Sequence, residues 1–276
     1  ISGIYFRMES IPLAIENINR ARKLAVEIGD DIPNIMIFLD QAFALVRFGY
    51  CDDAIDYGEE FKDHMDNVIK KLEDLEEFNQ WIHLYNAYNI ISWAYDCTGE
   101  YGEVINIINL MEEEEKFSND LDGWGWNQVY LLKGAAYYNL KKYSKSLDYF
   151  QKVDIDINTD GFNDFMKYEH ILFKYNKLVY VYMLEKILNN NFNIQEASTK
   201  IKEIEALLSS DPHHKTEGLD FDRDLMIYKL LGDKSYLEKV YNDIMKKAKS
   251  LENEVQDRFL NFPISKAIVE EWEKVK

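Results

Sequence analysis

The chain has 276 residues and a formal net charge of −18, with 30% charged residues and only 12 glycines and 4 prolines. This composition favours a soluble, all-helical chain, and no apolar run reaches the roughly 20 residues that a membrane span requires. The negative charge argues against direct binding of nucleic acid, because phosphate binding relies on clusters of lysine and arginine, and none is evident. An acidic surface instead favours a basic protein or peptide partner, although acidity also keeps a long helical protein in solution.

The first residues and the two cysteines predict a cytoplasmic location. The chain starts Ile-Ser-Gly-Ile, without a methionine or the apolar core of a secretory signal, so we expect a fragment of a larger chain. Cys51 and Cys97 each lie inside a helical pattern, which favours reduced, buried thiols over a disulfide.

Apolar residues recur at helical spacing along the chain, in segments separated by polar breaks. The first helix is predicted over 11–28 with Gly29 as its stop, and Pro33 suits the first turn of the next helix. Further helices are predicted at 51–76, 81–97, 163–188 and 234–251, with breaks at 119–125, 154–161 and 209–218. None of these breaks is typical of a linker between domains, so the prediction is a single domain over 1–276.

The stretch from Gln128 to Val153 predicts two short amphipathic helices that fold back on each other at residues 140–142. In the first helix, Gly134 sits where a neighbouring helix must approach closely, and Tyr130 and Tyr137 share one face. The second helix has a narrow stripe that needs a partner, formed by Tyr143, Ser146, Phe150 and Val153.

This stretch resembles a tetratricopeptide repeat (TPR). The resemblance rests on the small residue Gly134, on the aromatic residue three positions later, and on Tyr143, Ser146 and Phe150 in the second helix. Two positions depart from the family pattern, since Tyr130 replaces the usual tryptophan and the terminal proline is missing. Comparable second-helix positions recur at irregular steps of about 40 to 50 residues, at Ala14, Ala54, Val104, Ala197 and Leu237.

The resemblance implies an all-α fold, a right-handed α-solenoid of TPR-like helix pairs in which each pair buries its face on the next. A C-terminal cap is expected at 253–276, where Arg258-Phe259-Leu260 and Pro263 precede a short helix. This tail is similar to the closing segment of helical-repeat regions in bacterial signalling proteins, including STAND-type regulators. The apolar residues expected to cover the last pair are Phe259, Leu260, Ile264, Ile268 and Trp272.

Two loops partly match the sequence patterns of metal-binding sites. Residues 156–161 match the opening of a calcium loop, but Lys167 stands where the bidentate glutamate belongs, so a connecting turn is the prediction. His213 and His214 are adjacent in a polar loop without the cysteine or helical histidine spacing of a metal site. Because no nucleophile motif, phosphate loop or paired zinc motif occurs, the sequence predicts no cofactor and no enzyme activity.

The resemblance also implies a concave groove lined by the first helix of each pair. At the matching positions the sequence provides Arg47, Asn86, Asn89, Trp93, Asp96, Gln128, Tyr138 and Asn139. Amides can satisfy the backbone of an extended peptide while aromatic rings contact its side chains. The basic clamp of chaperone-binding relatives is not matched, and in the alternative interpretation Trp93 and Tyr138 belong to the core.

These observations predict a non-catalytic, protein- or peptide-binding TPR scaffold that uses this groove. The alternative is a ligand-sensing, regulatory TPR region of a multidomain signalling protein, linked to a STAND ATPase, a cyclase or a kinase.

Overall fold

The computed structural model describes residues 50–60, 80–113, 123–154, 164–188, 192–209 and 221–276, together with single positions between 13 and 49. Within these ranges every regular element is an α-helix, which confirms the all-α class. None of the helices described is long and apolar enough to cross a membrane. The contacts divide the chain into two compact units, 1–121 with 250–259 and 122–249 with 260–276. The single domain over 1–276 stays a prediction.

The first unit contains a helical segment at 51–60, α1 (Gln80–Thr98) and α2 (Tyr101–Glu113). The helix predicted at 81–97 is confirmed by α1, whereas the end of the helix predicted at 51–76 lies outside the described residues. A short turn joins α1 to α2, and the two helices pack on each other. Buried apolar side chains of this unit form its core, among them Leu45, Ala54, Ile91, Val104, Ile108 and Met111.

The second unit contains α3 (Gly123–Asn139), α4 (Tyr143–Lys152), α5 (Asp164–Leu188), α6 (Ile194–Ser209), α7 (Phe221–Leu231) and α8 (Lys234–Ser250). Of the two last helices, α9 (Asn253–Asn261) belongs to the first unit up to Phe259, and α10 (Pro263–Val275) belongs to the second. The longest helix, α5, contacts α3, α4, α6 and α7. Its buried aromatic and aliphatic side chains, such as Tyr180 and Leu184, meet Phe150 of α4 and Ile201 of α6 in one core.

The predicted boundaries agree with these helices except before α3. The central hairpin, α5 and α8 all lie where the periodicity places them. However, α3 begins at Gly123, so the break predicted at 119–125 is wrong at its C-terminal end. The ring of Trp126 stacks on Tyr130 one turn later, with ring centroids 5.6 Å apart, and this packing opposes the low helix propensity of the neighbouring glycines.

Three helix connections share one hydrogen-bond pattern, the Schellman motif. Gly49, Gly99 and Lys141 have positive φ angles of 84°, 89° and 59°. Each donates its N–H to the carbonyl three positions earlier, at 2.9–3.2 Å, and the following residue donates to the carbonyl five positions before it, at 2.8–2.9 Å. Because a side chain disfavours this left-handed conformation, Lys141 is the unusual member of the set.

The second-helix positions predicted from the repeat pattern are completely buried wherever the structure describes them, at Ala54, Val104, Ser146, Ala197 and Leu237. Four of these five residues stand five positions after a residue with positive φ, which is Gly232 in the case of Leu237. Ala14 lies outside the described residues. The same spacing between a positive-φ residue and a buried position thus recurs four times among the described residues.

Residues of the C-terminal tail pack on different helices, and the role of the tail as a cap stays a prediction. Helix α10 contacts α7, and the ring of Trp272 stacks on Tyr241 of α8 at 5.2 Å between centroids. Ile268 is completely buried. Phe259 belongs to the first unit, where its ring lies against Gly49, with Cδ2 only 2.9 Å from where a Cβ on that glycine would stand.

The prediction of reduced thiols is wrong. Cys51 and Cys97 form a disulfide, with Cα atoms 6.4 Å apart, within the range that this bond requires. Packing of the helix at 51–60 beside the last turn of α1 brings them together across 46 residues of sequence. Helical periodicity reports which face of a helix is buried but not which other helix covers it, so the pairing could not be predicted.

Candidate functional site

In the first unit, the predicted groove residues lie on one face of α1. Asn86, Trp93 and Asp96 are partly exposed, whereas Asn89 is buried at 6% exposure. Their spacing of three and four residues keeps all four on the same side of the helix. Arg47 lies outside the described residues.

In the second unit, the predicted groove residues lie on α3 and are more deeply packed. Gln128 is buried, while Tyr138 and Asn139 are partly exposed. The ring of Tyr138 meets Tyr180 of α5 edge-on at 5.3 Å and lies 5.8 Å from Tyr143. Burial, aided by nearby Tyr143 and Asp222, raises the pKa of Tyr138 to about 12. Its ring therefore packs against the core, and only part of the side chain is left for a ligand.

The structure also contains a partly buried polar cluster that was not predicted. Both carboxylate oxygens of Glu205 accept a hydrogen bond from a phenol, at 2.7 Å from Tyr175 and 2.9 Å from Tyr236. Burial, together with these bonds and the charge of Glu205, raises the pKa of both tyrosines, so they remain neutral donors. The cluster thereby connects α5, α6 and α8 through a single carboxylate.

The first turn of α7 adds charged groups to this cluster. Asp222 accepts a hydrogen bond from Tyr180 at 2.6 Å, and the guanidinium of Arg223 lies 4.7 Å from the centre of the Tyr175 ring. Asp224, at 6% exposure, accepts from Lys239 at 2.8 Å. Two acidic residues suit a helix N-terminus because they oppose the positive end of its dipole. Their sequence, Asp-Arg-Asp after a polar break, is the one signal that would have pointed to this cluster.

One amide extends this cluster towards the surface. Arg223 donates from Nη1 to the side-chain oxygen of Asn176 at 3.2 Å, and both residues are partly exposed. Asp222 is also partly exposed, beside Tyr180 and therefore close to Tyr138. Together Tyr138, Asn176, Asp222 and Arg223 offer an aromatic ring, an amide and both signs of charge across α3, α5 and α7.

Among the described residues, no group of three or more His, Cys, Asp or Glu side chains is placed to hold a metal ion. The calcium-like loop at 156–161 and the pair His213 and His214 lie outside those residues. No protein-family model matches the sequence, and a search of curated proteins found no similar protein.

Proposed function

We propose that the chain is a non-catalytic scaffold of TPR-like helix pairs, stacked as a right-handed α-solenoid with a C-terminal cap, that binds a protein or peptide. The observation that carries this proposal is the repeated hairpin, in which Gly49, Gly99 and Lys141 form the same hydrogen-bonded turn five residues before a completely buried position. A helix pair of this kind cannot bury both faces alone, and stacking such pairs creates an extended concave surface.

On α1, the exposed parts of Asn86, Trp93 and Asp96 suit an extended peptide. An amide can donate to and accept from a peptide backbone, and an indole ring offers a large apolar contact. Asp96 would favour a basic side chain in the ligand.

On the second unit, Tyr138, Asn176, Asp222 and Arg223 provide the corresponding contacts. Arg223 is held in place by the Tyr175 ring and by Asn176, so its guanidinium is pre-organised at this surface. The net charge of −18 adds long-range attraction for a basic ligand, which weakens as salt rises.

The test is selection of peptides from a display library on the immobilised chain, followed by affinity measurements with variants. We expect enrichment of peptides rich in Lys and Arg, and a loss of roughly tenfold in affinity for Trp93→Ala, because aromatic residues dominate binding energies at such surfaces. Asn86→Ala should also weaken binding. The matched control is Asn242→Ala, which changes an exposed asparagine on α8 and should leave the affinity unchanged.

Thermal melting of each variant separates binding from folding. A variant that loses affinity but melts like the parent supports the surface. Equal affinity of the Trp93→Ala and Asn242→Ala variants would contradict the assignment of α1. Capture of a small molecule, with no peptide selected, would instead favour a ligand-sensing region.

A further inference from the structure

The hairpin of α3 and α4 carries a positive charge that contrasts with the rest of the chain. Residues 123–154 contain five lysines, two aspartates and no arginine, a formal charge of +3 in a protein of −18. The sequence showed no basic cluster because these lysines are spread over both helices and the turn between them. In the fold, the side chains of four of these lysines lie over aromatic rings, so a basic cluster is present after all. We call these lysines and the neighbouring rings the lysine–tyrosine patch: Trp126, Tyr130, Lys133, Tyr137, Lys142, Lys145, Tyr149 and Lys152.

The rings of the patch form a continuous row. Trp126, Tyr130 and Tyr137 recur on one face of α3, and Tyr149 of α4 packs between the two tyrosines. The ring centroids of Tyr137 and Tyr149 are 5.5 Å apart in a stacked arrangement, and those of Tyr130 and Tyr149 are 6.3 Å apart. Such contacts fix the rings relative to each other.

The lysines lie over the faces of these rings. The ammonium of Lys152 is 4.2 Å from the centre of the Tyr149 ring, and that of the buried Lys133 is 4.6 Å from the same ring. Lys145 and Lys142 lie 5.6 Å and 5.9 Å from the centre of the Tyr137 ring. These distances are those of cation–π contacts, which hold the ammonium groups in position.

Three of these lysines, Lys142, Lys145 and Lys152, are exposed. Within the ranges that the structure describes, none of the three forms an ion pair with a carboxylate. These three ammonium groups lie 4.2–5.9 Å from the centres of two adjacent rings, so like charges are concentrated on one side of the hairpin and repel one another. An anionic partner would relieve this repulsion, and it would meet cations that are already ordered.

We propose that the lysine–tyrosine patch binds a short acidic peptide segment of a partner protein, with carboxylates paired to Lys142, Lys145 and Lys152. Lys145 and Lys152 are seven residues apart on α4, about two helical turns, so glutamates two turns apart on a helical ligand match their spacing. None of the eight patch residues belongs to the proposed groove, and the patch prefers a ligand of the opposite charge.

A peptide fits these observations better than a nucleic acid. Binding of single-stranded nucleic acid uses open ring faces for the bases and a basic groove that follows the backbone. Here the rings stack on one another and carry lysines on their faces. The strongly acidic remainder of the chain would also repel a phosphate polymer that extends beyond the patch, whereas a short acidic segment can stay within it.

The experiment is fluorescence anisotropy of a fluorescein-labelled peptide that carries glutamates seven residues apart, titrated with the full chain at two salt concentrations. The charge-reversal variant Lys145→Glu with Lys152→Glu should weaken binding by about tenfold or more, and higher salt should weaken wild-type binding. The matched control is Lys202→Glu with Lys249→Glu, two exposed lysines of α6 and α8 that change the net charge equally. That control should bind the peptide within about twofold of wild type, since long-range charge alone has a small effect.

Two further measurements keep the result interpretable. Lys145→Arg with Lys152→Arg should retain binding, since it keeps both charges, and circular dichroism should show the same melting for all variants. Equal weakening in the patch and control variants would overturn the proposal, and so would equal binding of a peptide with glutamine in place of glutamate. Tighter binding of a labelled single-stranded DNA oligonucleotide, with the same dependence on Lys145 and Lys152, would assign the patch to nucleic acid instead.

Discussion

Gly134 lies directly beneath the ring of Phe150. A Cβ atom built on this glycine would stand 2.9 Å from Cζ of Phe150 and 3.0–3.1 Å from both Cε atoms. The Phe150 side chain is completely buried, and Ser146 donates a hydrogen bond to the carbonyl of Gly134 at 2.8 Å. The predicted close approach at Gly134 is confirmed, because α4 packs on the backbone of α3 where no side chain intervenes.

Gly134→Ala should therefore lower the free energy of unfolding, by about 1–3 kcal/mol, because the buried ring has little room to move. Gly102→Ala is the matched control, since a Cβ on Gly102 of α2 would meet nothing within 4 Å. That control should gain about 0.4–1 kcal/mol from the higher helix propensity of alanine. Urea denaturation measures both, and equal stabilities of the two variants would contradict the close contact.

Lys141→Gly should stabilise the protein. Lys141 has φ 59°, a conformation that costs a residue with a side chain about 1 kcal/mol, and glycine removes that cost. Gly99→Ala should have the opposite effect at the equivalent turn, where φ is 89°. The midpoint of urea denaturation is the measurement. A Lys141→Gly variant less stable than wild type would show that the interactions of the lysine side chain outweigh the cost of its positive φ.

Reduction of the disulfide should destabilise the chain. Cys51 and Cys97 are separated by 46 residues, and opening a loop of this size costs about 4 kcal/mol in the chain-entropy estimate. Melting with and without a phosphine reductant tests this, and the double variant Cys51→Ser with Cys97→Ser should be insensitive to the reductant. Titration of free thiols in the denatured, unreduced protein should find none, whereas two thiols would refute the disulfide.

Stability should fall at alkaline pH, in part through Tyr138. Its pKa is raised from 10.0 to about 12 in the folded protein, mainly by burial. Below pH 10 the phenol is protonated in both states and has no effect. Between pH 10 and 12 it ionises only in the unfolded state, which then binds fewer protons, so the free energy of unfolding decreases by roughly 1–2 kcal/mol. Denaturation at stepped pH should show a shallower decrease for Tyr138→Phe, and identical slopes would refute the shift.

Sequence periodicity predicted most of the helices because burial of one helix face leaves a local pattern. At the turns of Gly49 and Gly99, glycine relieves the cost of a positive φ at the end of a helix. The start of α3 was missed because the stacking of Trp126 on Tyr130 outweighs the propensity of its glycines. Helix propensity thus gave the wrong start for α3, because a contact between two side chains determines where this helix begins.

The candidate surfaces were less predictable than the fold, because their contacts join distant helices. Glu205 accepts hydrogen bonds from two tyrosines that lie 30 and 31 positions away in the sequence, and contacts over such separations produce no pattern at helical spacing. The spacing of Asn86, Trp93 and Asp96 within α1 could be predicted, since it depends on one helix only. The lysine–tyrosine patch needed the packing of α3 on α4 before its charges came together.

The contact between Gly49 and Phe259 determines when the first unit can finish folding during synthesis. These residues are 210 positions apart, and the same two regions are joined by Arg258, which pairs with Asp52 at 3.3 Å. A ribosome that adds about 5–20 residues per second produces the first of them roughly 10–40 s before the second. While the helices of the second unit are being synthesised, the first unit therefore lacks Phe259. During that time the surface at Gly49 that this ring covers is exposed. A nascent chain arrested before residue 250 should expose Gly49 and its neighbours to proteases or chaperones, and synthesis through α9 should end that exposure.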